Sequence, residues 1–296
     1  MRLASVEGLF LAASLASSVA SAQGRPDMGK LSATGGVSQL EGAGGGGLAP
    51  WALITGYGSR DSWGANAHYT GVRTQDYTLD TAGVALGLAD RIELSLAQQH
   101  FKGSLAPLDQ LSIKQDILGV KVKVAGDAVY GQDSLTPQIA IGAMYKRNKG
   151  VGGLGALGVT KVTQLGAKDD SGTDVYVAAT KILLEQSLLL NGTVRATRAN
   201  QMGLLGFGGD RGDSTKAMLE VSAAYMVDRQ LVAGVEYRRK PRNLGVDNEK
   251  AYYDVFVAWF PSKHVSVTAA YAVLGDITVF TPRRQRGAYL SVQTGF

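Results

Sequence analysis

The feature that most limits what this chain can become is an alternation of apolar and polar residues in segments of about ten, the signal of strands with one oily face. Ile92, Leu94 and Leu96 share one face while Arg91, Glu93 and Ser95 take the other, and Val120, Val122 and Val124 interleave with Lys121 and Lys123. Leu219, Val221, Ala223 and Tyr225 alternate with Glu220, Ser222 and Ala224; Leu231, Ala233, Val235 and Tyr237 oppose Gly234, Glu236 and Arg238. The pattern recurs at Leu188–Thr197, at Tyr253–Trp259 around Asp254, and at Val265–Val273. No run of 18 or more apolar residues follows the N-terminus, so a membrane could be crossed only by strands. A glycine content of 39 and a proline content of 7 argue against a helical bundle. The absence of cysteine removes disulfides, thiolate metal sites and a cysteine nucleophile, and a net charge of +5 is too small to suggest a nucleic-acid partner.

A soluble sandwich alternates as well, so the connections must decide which side is oily. Ala89-Asp90, Glu185-Gln186, Asp228-Arg229 and Pro261-Ser262-Lys263 read as short turns, whereas the intervening links are long and rich in glycine and charge. Short turns at one end and long loops at the other belong to an outer-membrane barrel. Arg2, an apolar stretch through Leu9–Ala16 and the small residues Ala20-Ser21-Ala22 read as a secretory signal peptide over 1–22, leaving a barrel domain over 23–296. Strands are expected near 30–39, 49–57, 63–73, 77–88, 91–102, 112–125, 135–147, 173–185, 187–198, 215–226, 230–240, 251–260, 264–275 and 287–296. The expected fold is therefore all-β: a single transmembrane antiparallel up-and-down barrel of about fourteen strands, with twelve as the alternative because 30–39 carries the weakest pattern. Trp51, Tyr57, Trp63, Tyr69, Tyr77, Tyr145, Tyr225, Tyr237, Tyr253, Trp259 and Tyr271 are expected on the lipid face as interfacial girdles. The alternating last segment ends in Phe296, which resembles the signal that delivers Gram-negative barrels to their insertion machinery, the partner expected there.

Charge within the wall is expected to face a polar lumen, because ionised groups facing lipid are costly. Arg91, Glu93, Lys121, Lys123, Arg195, Glu220, Glu236, Arg238 and Asp254 fall on that parity. Basic residues gather at the long-loop ends: Lys146, Arg147 and Lys149, then Arg195 and Arg198, then Arg238, Arg239, Lys240 and Arg242, then Arg283, Arg284 and Arg286. Of these, Arg147, Arg198, Arg239, Arg242, Arg283, Arg284 and Arg286 form an expected outer rim. Such a rim suits the anionic lipids of an outer leaflet, lipopolysaccharide phosphates, or anionic solutes drawn to the mouth. The apolar loops around 150–159 and 202–207, within 148–172 and 200–214, are candidates for folding into the mouth.

Catalytic and metal chemistry have little to work with. Of His68, His100 and His264, only His100 has a nearby serine, Ser104, and four residues along a strand is about 13 Å, too far for a base and its nucleophile. The acidic turns at 168–174 and 208–213 lack the spacing of a calcium loop, and Gly44-Gly45-Gly46-Gly47 lacks the lysine and strand–helix context of a phosphate loop. Neither a catalytic residue nor a cofactor is expected.

Gly35-Gly36-Val37, Glu41–Trp51, Gly56-Tyr57-Gly58, Lys121–Tyr130 and Pro137-Gln138-Ile139-Ala140 resemble an uncharacterised family of proteobacterial exported proteins, a domain of unknown function. The resemblance covers nearly the whole chain after the signal segment and implies an outer-membrane β-barrel, with no site residues to carry over. The expected function is a passive channel or facilitator for small solutes in a Gram-negative outer membrane. A structural or lipopolysaccharide-binding barrel is the alternative, and an acyl hydrolase the remaining one.

Overall fold

A computed structural model describes residues 29–296 apart from positions 31, 107 and 249. The expected signal peptide lies outside the described residues. Twelve strands close into one antiparallel barrel: β3 (Trp63–Thr74), β4 (Tyr77–Leu88), β5 (Ile92–Gly103), β6 (Ser112–Ala125), β7 (Gln138–Gly152), β8 (Ser171–Leu183), β9 (Leu188–Thr197), β10 (Lys216–Met226), β11 (Leu231–Arg238), β12 (Tyr252–Ser262), β13 (Val265–Gly275) and β14 (Gln285–Gly295). Each pairs with its neighbour in sequence, and β14 closes the wall on β3, with Val292 opposite Tyr69. Closure leaves no edge with unpaired backbone groups, which is what a strand-built wall needs in lipid. Among the described residues no helix is long and apolar enough to cross a membrane.

The oily side is outward. Leu96, Leu118, Leu219, Val255, Tyr271 and Leu290 point away from the barrel and are about half exposed, while their polar neighbours Glu93, Lys121, Arg195 and Glu220 are fully buried inside. Water would not tolerate such an exterior, nor hydrocarbon such an interior, so the alternation read from the sequence has the sign of a membrane wall.

Two expected strands are absent from that wall. The described residues of 30–39 and 49–57 are not wall strands: residues 34–57 lie inside the barrel as an inserted segment whose short pairing, β1 (Val37–Ser38) with β2 (Gly44–Gly45), is separate from the twelve. From Thr34 to Tyr57 almost every residue is buried. The physical reason is size: about eight strands enclose a space that side chains alone can fill, whereas twelve leave room for additional chain. Alternation at Trp51 and Leu53 cannot distinguish lipid on a strand's outside from a lumen wall around a buried hairpin. The aromatic girdle is corrected on the same ground. Trp51 and Tyr57 belong to the inserted segment and Tyr77 points into the lumen, 2% exposed, while Tyr69, Tyr145, Tyr225, Tyr237, Tyr253, Trp259 and Tyr271 are exposed outside.

Most turns at the end carrying both the entry to β3 and the end of β14 are short, and the longest connections lie at the opposite end. Gly126–Pro137 is a longer connection at the short-turn end, and the β3–β4 turn of Gln75 and Asp76 is a short one at the other.

Candidate functional site

The inserted segment is a plug that enters at the short-turn mouth, rises to a bend at Glu41–Gly47 and returns to leave beside the last strand. At its base Tyr57 N and Ala65 N both donate to the Phe296 carbonyl, at 2.9 and 3.2 Å. Between residues 29 and 58 the segment carries one acid, Glu41, and one base, Lys30. Lys30 pairs with Asp90 in the β4–β5 turn at 2.6 Å. Glu41 is fully buried deeper in the barrel. It contacts Lys146 Nζ, Arg238 Nη1 at 2.6 Å and Arg195 Nη1 at 3.3 Å. Those three cations also meet Asp174 and Glu220: Lys146 to Asp174 at 2.5 Å, Arg195 Nε to Glu220 at 2.6 Å. The wall therefore presents three positive and two negative charges, and Glu41 brings the group to neutrality. A buried cluster of this kind tolerates no missing member, because each remaining charge would be left unpaired in a low dielectric.

Two more wall carboxylates hold plug backbone. Glu93 accepts from Gly44 N and Thr55 N, both at 2.9 Å, and pairs with Lys121 at 2.9 Å. Lys121 in turn donates to the carbonyls of Gly44, Trp51 and Leu53 at 2.7–3.1 Å. Glu236 accepts from Leu48 N at 2.8 Å and from Ser222, whose hydroxyl also receives Trp51 Nε1 at 3.0 Å. The glycine run is the steric counterpart of these contacts: a Cβ at Gly46 would stand 2.1 Å from Glu236 Oε1. Neutral partners complete the grip. Thr180 accepts from Ala52 N at 2.7 Å, Thr193 donates to Pro50 O at 2.8 Å, and Gln99 donates to Leu40 O at 2.8 Å.

The long-loop mouth is covered. Asn200–Phe207, within the expected 200–214 loop, is buried beneath the rim, and Leu40 and Leu48 at the plug's bend join Met202, Leu204, Leu205, Tyr77, Phe101 and Ile113 in one apolar layer. Gln201 and Met202 adopt left-handed backbone at φ 46° and 62°, a conformation costing about 1–2 kcal/mol per non-glycine residue. The turn is held by Gln201 donating to Asp247 at 2.8 Å and by Gln115 and Asn148 donating to Met202 O and Leu204 O at 3.1 and 2.8 Å. A cavity of about 20 Å³ lies under this cap, room for about one water. The 148–172 loop contributes Val151, Val162 and Ala167 to the layer, while Gly155–Leu157 stay exposed.

The residues expected in the lumen divide. Glu93, Lys121, Arg195, Glu220, Glu236, Arg238 and Asp254 are buried within the barrel, whereas Arg91 is exposed in a turn and Lys123 sits at the mouth on Asp90 and Asp127. β6 continues past Lys123, which pairs opposite Ala140, so Lys123 keeps the inward parity but stands at the mouth and not in the depth of the lumen. Lys146, expected only in a basic cluster at the long-loop end, and Arg195 and Arg238, expected in both groups, point inward to Glu41. The seven rim arginines lie at the long-loop end, and two are neutralised there: Arg198 by Asp169 and Asp213, Arg283 by Asp76. Hydrogen bonding from Arg283 holds the Asp76 carboxyl below its ordinary range. Glu41 was not among the expected site residues. Its signal was its solitude, one acid in an otherwise uncharged stretch opposite a wall with surplus cations.

The plug's grip is uneven around the wall. On β3, β4, β12 and β13, Asn66 Oδ1, both ring nitrogens of His68, Thr81 Oγ1, Asp254 Oδ1 and Ser266 Oγ are buried with no hydrogen-bond partner among the described residues. The plug's polar contacts there are fewer: Ser38 donates to Gln293 at 2.7 Å, Asn66 Nδ2 donates to Thr55 Oγ1 and Lys263 Nζ donates to Lys30 O at 2.9 Å, beside apolar packing of Val37 and Leu53 in one cluster with Phe256, Ala258 and Phe260.

A closed antiparallel barrel of even strand number, oily outside and ionised within, is an outer-membrane β-barrel, the spanning form of the Gram-negative outer membrane. The chain belongs to the family DUF3034, described as proteins of unknown function, whose model matches residues 34–293, plug and wall together. No curated protein matches its sequence. Among solved structures it is similar to the KdgM porin, at 10% identity over 78% of this chain and 99% of that one with a TM-score of 0.49. It is similar also to the NanC porin, at 10% over 79% and 99% with a TM-score of 0.49. A third similarity is to outer membrane phospholipase A from Escherichia coli, at 8% over 78% and 92% with a TM-score of 0.41.

Proposed function

We propose that the protein is a passive channel for small polar solutes whose resting state is closed by its own N-terminal segment. The observation that carries this reading is the uneven grip on the plug. One side of the lumen holds it by buried ion pairs and many backbone hydrogen bonds, and the other holds it by a few hydrogen bonds beside buried polar groups whose hydrogen-bonding capacity is unmet. An unmet buried polar group costs about 1–3 kcal/mol, a cost removed when water reaches it. Opening then begins along β12–β14, β3 and β4, with the charged side acting as the hinge. With the plug seated, the wall charges are spent on Glu41, Lys30 and plug backbone. They select solutes only when the plug swings aside.

The chain has no cysteine of its own, so a pair introduced at Ser38→Cys and Gln293→Cys reports on that side alone. In planar bilayers the unmodified protein is expected to show resolved steps of brief duration. The oxidised double-cysteine protein is expected to be silent and to recover with reductant, and a chain lacking residues 33–56 to stay open. Equal conductance of all three, or none from any, overturns the reading in favour of a barrel that binds outer-leaflet lipid without transport.

A further inference from the structure

The outside of the wall is as uneven as its inside. On β3–β7 the register sets four outward rows, one above another toward the long-loop end. The row Ala67, Val84, Leu96, Leu118 and Tyr145 is apolar. Above it come Tyr69, Ala82, Gln98, Asp116 and Arg147, then Gly71, Asp80, His100 and Lys114, then Arg73, Thr78, Lys102 and Ser112. His100 therefore stands two rows, about 13 Å along its strand, beyond the last leucine, where hydrocarbon has given way to headgroups. On β11–β13 the outward row Tyr237, Tyr253 and Val273 is apolar and aromatic up to Arg286 on β14.

Within this polar arc His100 Nε2 and Ser112 Oγ are 2.8 Å apart across the β5–β6 hairpin, each half-buried and open to the exterior. Asp80 is the direct cross-strand neighbour of His100 on the other side, and its carboxylate is fixed by Tyr69 OH at 2.8 Å and Arg73 Nη2 at 2.6 Å. Lys114 is opposite His100 and Lys102 opposite Ser112, so two ammonium groups flank the pair. A hydroxyl on an imidazole, a fixed carboxylate beside that imidazole and neighbouring cations are the parts that nucleophilic acyl transfer needs.

We propose that Ser112 and His100 are a catalytic nucleophile and base that cleave carboxylic esters of anionic lipids at the outer headgroup level. As Ser112 Oγ bonds to the ester carbonyl carbon, its proton passes to His100 Nε2, and the lysines stabilise the oxyanion. Collapse breaks the carbon–oxygen bond to the alcohol, which leaves with that proton. Water, deprotonated by the same nitrogen, then adds to the acyl-serine, and the fatty acid departs as Oγ is reprotonated. Asp80 acts as a positioning residue that favours the imidazolium formed in between. The channel reading is independent of this site, which lies on the other face of the wall.

A fluorophosphonate probe tests the pair without a known substrate, since attack by Oγ on phosphorus expels fluoride and leaves a stable adduct. The folded protein in detergent is expected to carry the adduct on the peptide containing Ser112. Ser112→Ala is expected to lose it and His100→Asn to form it about a hundredfold more slowly, both keeping the heat-modifiable gel mobility of the folded barrel. Phosphatidylglycerol vesicles are expected to release fatty acid with the unmodified protein and not with Ser112→Ala. Absence of an adduct at Ser112, an undiminished rate in His100→Asn, or fatty-acid release unaltered in Ser112→Ala would overturn the proposal.

Discussion

Two arcs of one lumen, β5–β11 and β12–β4 through β14 and β3, are built on the same alternation yet treat the plug in opposite ways. The first meets it with Glu93, Lys121, Lys146, Asp174, Arg195, Glu220, Glu236 and Arg238, nearly all engaged in ion pairs or with plug backbone. The second meets it with His68, Thr81 and Ser266, whose side chains are buried and unmatched, and with Asn66 and Asp254, each with one unmatched oxygen. The difference teaches that an inward polar residue is not a uniform lining. Where its chemistry complements a fixed strand it binds that strand, and where it does not it stores a cost that water can relieve.

The sharpest way to break the contrast is Glu41→Gln. It leaves Lys146, Arg195 and Arg238 with only Asp174 and Glu220, an unpaired buried charge costing about 3–5 kcal/mol. The plug should be displaced while the barrel persists, seen as long-lived conductance steps and as proteolysis within 33–56. Gly46→Val comes next: its side chain collides with Glu236, itself held by Leu48 N and Ser222, for about 1–3 kcal/mol of overpacking. The expected result is a looser plug with the same gel mobility for the wall.

A matched pair then compares the arcs directly. Thr193→Val leaves the Pro50 carbonyl with only the long 3.4 Å bond from Asn191 Nδ2 and should cost about 1–2 kcal/mol in thermal unfolding. Thr81→Val removes an unmatched hydroxyl and should be within about 0.5 kcal/mol of neutral, or stabilising. Equal losses at both positions would erase the distinction between the arcs. The smallest effect lies outside the membrane. Because Asp76 titrates below its ordinary value of 3.8 when folded, its contribution is complete above that value and is lost as pH falls through the folded one. Amide protection factors over residues 276–284, corrected for the intrinsic pH dependence of exchange, should be flat from neutral pH down to about 5 and fall only in stronger acid, and Asp76→Asn should abolish that dependence.

Much of the wall is legible in the sequence, and the reasons are specific. Ile92, Leu94 and Leu96 against Glu93 and Ser95 fix a strand and its two faces, because a strand's side-chain period is two and no other element reproduces it. Short turns such as Ala89-Asp90 fix which strands are neighbours. The plug was not legible in this way: Trp51 and Leu53 alternate as a wall strand does, and only the width of a twelve-stranded barrel makes their burial inside it possible. Nor was the pairing of His100. Along the chain its candidate partner was Ser104, out of reach four residues on, whereas β6 pairs antiparallel with β5 and brings Ser112 beside it.

By itself, then, the sequence determined a strand-built membrane wall and which of its faces is oily, since these follow from local periodicity and from the cost of ionised groups in hydrocarbon. Tertiary structure alone decided that two of the expected strands fill the lumen, that Glu41 is matched to three cations drawn from β7, β9 and β11, and that a histidine and a serine meet on the outer face. Those are contacts between residues far apart in the chain, fixed by closure and register, and no local pattern encodes either.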